Sequence, residues 1–180
     1  MLTTAGGAVW AAYFDEATGD DGLGSRGLVR FDDTLAVSWT YPYDAEPEIL
    51  DCHALTVAGE TPWHYAYTTF HIGSVRNRAP EDHGPAPHHG AYALLVSGRD
   101  GALIGGYGPE HDLVTPLRLG PGGIEGGQAR RLIFPDGGGL HDVNRAQLFT
   151  RGADLHVFHD NGWWRASLDE LTAGSGLAGS

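Results

Sequence analysis

Asp51-Cys52-His53 is the densest cluster of reactive side chains in this 180-residue chain. A thiol beside an imidazole has the makings of a nucleophile–base dyad. In a strand, however, neighbouring side chains point to opposite faces, so Cys52 and His53 face apart while Asp51 and His53 share a face. There the carboxylate is placed to orient the imidazole, and Cys52 reads as a buried structural cysteine. The other nine histidines are His64, His71, His83, His88, His89, His111, His141, His156 and His159. None lies in an H-E-x-x-H pattern or near a paired C-x-x-C, so a zinc-like centre needs ligands gathered from distant segments. Glu16, Asp51, His53 and His89 form the set that strand ends would bring together around a divalent metal, with bound water as nucleophile. The acidic stretch holding Asp15, Glu16, Asp20 and Asp21, with Asp32 and Asp33 beyond it, is rich in oxygen ligands. It lacks the D-x-[DN]-x-[DN]-G spacing of a calcium loop and reads as a solvated turn.

The elements that position these residues are visible as a repeat. Leu2-Thr3-Thr4-Ala5-Gly6, Leu55-Thr56-Val57-Ala58-Gly59, Leu94-Leu95-Val96-Ser97-Gly98 and Leu148-Phe149-Thr150-Arg151-Gly152 start 53, 39 and 54 residues apart. Each ends in glycine and precedes a second apolar stretch, which is the pattern of a β-hairpin. The spacing brackets the roughly 40–50 residues of a β-propeller blade. Module one takes Leu2–Tyr13, Gly27–Phe31 and Ala36–Tyr41. Module two takes the segments from Cys52 through Tyr67 and a strand near Phe70–Val75, followed by a proline- and histidine-rich loop over Arg78–Gly90. Module three takes Ala91–Leu94, Leu103–Tyr107, Leu113–Leu119, a glycine-rich turn at Gly120–Gly127, and Arg131–Phe134. Module four takes Ala146–Thr150, Leu155–Phe158 and Trp163–Leu168. The expected fold is therefore all-β and propeller-like, with about four hairpin modules in one repeat domain over 2–171 and a flexible tail over 172–180. Both a closed and an incomplete ring fit the spacing, and open sheet edges would allow oligomers.

Composition narrows the class. The 28 glycines and 10 prolines supply turns, and no long window carries a helical apolar stripe. The formal charge is −12, and all 11 basic residues are arginine, with only Arg130-Arg131 adjacent. Such a surface repels phosphate backbones and anionic bilayers, which argues against nucleic-acid and membrane partners. A single cysteine excludes an intramolecular disulfide, and the first residues lack a signal-peptide pattern, so the expected compartment is the cytoplasm.

Several segments carry a family resemblance: Val9-Trp10-Ala11-Ala12-Tyr13-Phe14-Asp15-Glu16, Gly27-Leu28-Val29-Arg30-Phe31-Asp32, Asp51-Cys52-His53-Ala54-Leu55, Gly105-Gly106-Tyr107-Gly108 and Arg151-Gly152-Ala153-Asp154-Leu155-His156-Val157-Phe158. Over roughly Leu2 to Leu171 the chain resembles a group of uncharacterised actinobacterial propeller-like proteins with no assigned activity. Against that group it looks shortened at the amino end, and Arg76-Asn77-Arg78-Ala79-Pro80 departs from a tidy strand and turn. Arg30-Phe31-Asp32-Asp33-Thr34…Trp39 also faintly echoes the quinoprotein propeller repeat, with Leu35 where that motif has glycine. The resemblance implies a propeller-like fold and leaves function to the residues.

Two functions compete. The leading one is a noncatalytic repeat domain that binds a protein or a small ligand. The alternative is a metal-dependent hydrolase of the lactonase type on a propeller scaffold, using Glu16, Asp51, His53 and His89. The aromatic residues Tyr41, Tyr43, Trp63, Tyr65, Tyr67, Tyr107, Trp163 and Trp164 fall near strand ends, where they either build a binding face or fill space between modules. Packing is the expected role for most of them.

Overall fold

The computed structural model describes residues 1–14, 22–134, 139–140, 146–159, 161–173 and the backbone of 178–179. Seventeen strands are described. Module one supplies β1 (Leu2–Thr3), β2 (Val9–Ala12), β3 (Leu28–Phe31) and β4 (Val37–Thr40). Module two supplies β5 (Asp51–Ala58), β6 (Thr61–Tyr67), β7 (His71–Arg76) and β8 (Ala79–Pro85). Module three supplies β9 (Ala91–Ser97), β10 (Asp100–Gly105), β11 (Leu113–Gly120), β12 (Gly123–Gly126) and β13 (Arg130–Arg131). Module four supplies β14 (Ala146–Arg151), β15 (Asp154–His159), β16 (Gly162–Ser167) and β17 (Ala178–Gly179), with one short helix, α1 (Leu168–Ala173), between the last two strands. Each module is a separate antiparallel sheet of consecutive strands, with β13 joined to β11 beside the β9–β12 path. Four such sheets make the fold all-β and propeller-like, as the repeat predicts.

The repeat glycines mark tight turns. Gly59, Gly98 and Gly152 have φ of 64°, 61° and 58°. Each opens a two-residue connection: Ala58 pairs with Thr61, Ser97 with Asp100, and Arg151 with Asp154. Glycine at positive φ in the first central position is what a type II′ hairpin needs. The first copy differs. Thr3 pairs with Val9 across a longer turn in which Gly7, not Gly6, takes the positive φ.

Three expectations are corrected. Arg78–Gly90 is not a loop throughout, because β8 runs through Ala79–Pro85 and pairs with β7. Its prolines are tolerated because β8 is the edge strand of its sheet, where a missing N–H breaks no inner ladder. Arg76–Pro80 is a regular strand and turn: Arg76 pairs with Ala79 around Asn77 and Arg78, both at positive φ in the I′ manner. Likewise Gly120–Gly127 is not all turn, since β12 pairs with β11 across it.

The chain divides into two compact units, Met1–Ala86 and Pro87–Ser180. In the first, Trp10, Leu28, Tyr41, Cys52, Val57, Ala66 and Val75 form a core shared by the two sheets. Aromatic edges link it: Trp10 to Trp39, Trp39 to Tyr41 and Tyr41 to His64 lie at centroid distances of 5.5, 5.8 and 5.6 Å. In the second, Leu95, Ile104, Val114, Leu132, Leu155 and Val157 form a core closed by Leu168 and Leu171 of α1. That helix starts on a capping box. The Ser167 backbone N–H donates to the Glu170 carboxylate at 2.7 Å, and the Glu170 N–H donates to Ser167 Oγ at 3.3 Å. The segment expected as a tail thus begins inside α1 and returns as β17 beside Trp164 and Arg165.

Candidate functional site

Asp51 and His53 do share a face of β5. Cys52 pairs with Ala66 and Ala54 with Tyr65, so His53 is the extra residue of a bulge. Its Nε2 lies 3.2 Å from Asp51 Oδ2, and its ring stacks on Tyr67 at 4.8 Å and 8°. The carboxylate and the tyrosine together fix the imidazole, leaving Nδ1 as the nitrogen available to a ligand. Cys52 points the other way, into the core, 1% exposed. Burial, with Asp51 nearby, pushes its thiol up to about 12. A thiol held protonated so far above neutrality is no nucleophile.

Four more histidine-containing contacts lie on β6–β8. His64 is fully buried opposite Gly73, and a Cβ on Gly73 would sit 2.5 Å from the ring. Burial, assisted by His83, lowers the His64 imidazole to about 3, so it is neutral. Neither ring nitrogen has a hydrogen-bond partner among the described residues. His71 Nδ1 contacts Asp82 at 2.9 Å. On the other face, Ser74 Oγ lies 2.9 Å from His83 Nε2, and His83 stacks on Trp63 at 4.6 Å.

This serine–histidine pair escapes a sequence reading because β8 looks like loop; the alternation of Glu81 and His83 against Ser74 is its only trace. It is not a hydrolytic triad. Glu81 approaches the same Nε2, at 4.0 Å, and not Nδ1, so among the described residues no acid orients the base. Ser74 itself is 0% exposed.

Asp51 and His53 belong to the first unit and His89 to the second, just before Gly90. Glu16 lies outside the described residues, as do Asp15, Asp20, Asp21, His141 and Asp142. Among the described residues no three His, Cys, Asp or Glu side chains gather into a metal-holding group. A pocket of about 100 Å³ between Ser25–Arg26 and Tyr41–Tyr43 is smaller than the roughly 300 Å³ at which small-molecule sites begin.

A different surface stands out on β14–β16. Pairing places Gln147, Phe158 and Trp163 in one row, and Phe149, His156 and Arg165 in the next. Leu155, Val157 and Ala166 fill the core from the opposite face. Phe149, Phe158 and Trp163 are 50%, 44% and 45% exposed. Phe158 and Trp163 lie parallel within 3° at 6.0 Å, and Phe149 stands across Phe158 at 80°. Trp163 Nε1–H donates to His156 Nδ1 at 3.2 Å, with 26° between the rings. The two ring centroids lie 5.8 Å apart, a stacked arrangement rather than a coplanar one.

No family model matches the chain, and no curated protein is similar to it.

Of the aromatics singled out in the sequence, Tyr41, Trp63 and Tyr65 are buried and pack as expected. Tyr43, Tyr107 and Trp163 are exposed. Tyr43 lies under Arg26, whose guanidinium sits 3.6 Å from the ring centroid. Phe149, Phe158 and His156 complete the Trp163 surface and were not in that group. Their signal is the alternation through Gln147-Leu148-Phe149-Thr150-Arg151, whose outward positions include a phenylalanine where a polar residue is usual. Among the described residues no helix is long and apolar enough to cross a membrane.

Proposed function

We propose that this chain is a noncatalytic binding domain on a propeller-like scaffold, and that its ligand meets the aromatic face of β14–β16. One observation carries the reading: Phe149, Phe158 and Trp163 stand about half exposed in one contiguous cluster. Single exposed apolar residues need no explanation, but contiguous aromatic patches mark interaction sites. The two catalytic arrangements suggested by residue type are silenced by burial and geometry: Cys52 is protonated in the core, and Ser74 is covered. Kinship with the actinobacterial propeller-like group is part of the same proposal and brings no activity with it.

The test is a thermal-shift panel of oligosaccharides, peptides and aromatic small molecules on the native chain and on Trp163→Ala. At least one class is expected to raise the Tm of the native chain and leave the variant unmoved. Equal shifts in both proteins, or none in the native chain, contradict the reading.

The lactonase-type alternative has one observation in its favour, the Asp51–His53 pair with His53 Nδ1 left to a ligand. Elemental analysis of the purified protein decides it. Stoichiometric divalent metal, lost in His53→Ala, supports a hydrolase; metal-free protein that gains no lactone hydrolysis on adding zinc or calcium removes it.

A further inference from the structure

Resting on the binding-domain reading, we propose that the β14–β16 face binds an extended peptide carrying an acidic side chain among apolar ones. Charge, ring geometry and spacing each point to that chemistry.

Register sets Phe158 and Trp163 in one row, His156 and Arg165 in the next, and Arg151 opposite Asp154 in the third. Among the described residues of these rows, two guanidiniums stand against one carboxylate. The face thus holds one positive charge in excess, on a chain whose total is −12. Arg165 directs one nitrogen at Asp154, 2.9 Å away, and keeps further N–H donors for an incoming carboxylate. His156 adds another donor: its Nδ1 accepts the Trp163 indole N–H, so the ring proton is on Nε2.

The rings favour the same charge. Phe158 lies parallel to Trp163 at 6.0 Å, and His156 stacks on the same indole at 5.8 Å. Rings stacked on one another cover their faces and turn their edges to solvent, and the edge is the positive end of the ring quadrupole. Such edges suit carboxylate oxygens and apolar side chains, and offer a cation little.

Spacing suits a peptide. Successive rows are two residues apart along the strands, about 7 Å, the step that separates same-side residues of any extended chain. A peptide lying along the strands with an apolar residue on Phe158 and Trp163 brings its second-next residue to Arg165. Two residues further on it reaches Arg151.

Size and total charge disfavour other occupants. Three half-exposed rings amount to roughly 300 Å², well short of the ~800 Å² per partner of a stable interface between folded proteins. A nucleic acid or an anionic bilayer presents many charges to a chain of −12. One carboxylate meets the local excess instead, within the Debye length of about 8 Å at physiological salt.

Calorimetry on the full chain tests this with acetylated, amidated heptapeptides. One series carries leucine or phenylalanine at the second position and glutamate at the fourth or sixth; the control series carry glutamine or lysine in place of glutamate. Glutamate peptides are expected to bind at least about tenfold more tightly than their lysine counterparts, an advantage that fades between about 0.05 M and about 0.5 M salt. Trp163→Ala should weaken binding about tenfold. Arg165→Gln should erase the preference for glutamate at the fourth position, and Arg151→Gln that at the sixth. Circular dichroism and Tm establish that each variant folds. No binding by the glutamate series, equal or tighter binding by the lysine series, or a glutamate preference that survives both arginine substitutions overturns the peptide assignment. If only an oligosaccharide, a small aromatic compound or an oligonucleotide gives a Trp163-dependent thermal shift, the peptide proposal falls while the binding face survives. If no ligand class depends on Trp163, both fall.

Discussion

At the scale of single residues, the histidines are decided by surroundings that no spacing reveals. His64 is neutral because burial holds its imidazole near 3 against an ordinary value of 6.5. Between those values the unfolded chain carries a proton that the folded one does not. Its contribution is therefore fully present above pH 6.5 and lost as pH falls toward 3, at about 1.4 kcal/mol per pH unit. Chemical denaturation across that window is expected to show this slope in the native chain and a shallower one in His64→Leu. His83, also lowered by partial burial, leaves a remainder. An unchanged slope in the variant would mean that His64 is not the titrating group. Leu35 is the second case. It sits at φ 63°, 69% exposed, where the echoed propeller motif has glycine. Leu35→Gly is expected to stabilise the chain by about 1 kcal/mol, measured by urea denaturation, because leucine bears a steric cost in that region. This position is legible from sequence alone once the motif is noticed; the burial of His64 is not.

At the scale of elements, the hairpins announce themselves and the edges do not. Alternation and glycine punctuation give β5–β6, β9–β10 and β14–β15, because a II′ turn has a strong residue requirement. The edge strand β8 is hidden by the prolines that an edge permits, and with it the Ser74–His83 contact. Asp51 and His53 were readable as a same-face pair from period two alone, although the bulge that presents His53 was not. Packing between strands yields a sharper prediction. Gly73 exists to admit the His64 ring, so Gly73→Ala is expected to destabilise by about 2 kcal/mol through overpacking. Adding His64→Ala should recover part of that loss, and a double-mutant cycle in urea measures the coupling. Strict additivity of the two substitutions would show that the ring and the glycine do not meet.

At the scale of the whole molecule, charge and surface determine what the chain can meet. A net charge of −12 keeps like chains apart, most strongly when the Debye length is long. Sedimentation equilibrium at low ionic strength is expected to give a monomer; a dimer there would show that some face overcomes the repulsion. The propeller-like plan follows from repeat spacing, because each hairpin module must bury a face against a neighbour. Which face stays uncovered depends on tertiary placement, and this is why the aromatic surface of β14–β16 had to be seen. Its function is the central claim. The most direct measurement follows the indole N–H resonances of the five tryptophans during titration with whichever compound raises the Tm. The Trp163 signal, identified by its absence in Trp163→Phe, is predicted to move while those of buried Trp10 and Trp63 stay in place. A titration that shifts the buried indoles and leaves Trp163 still would contradict it.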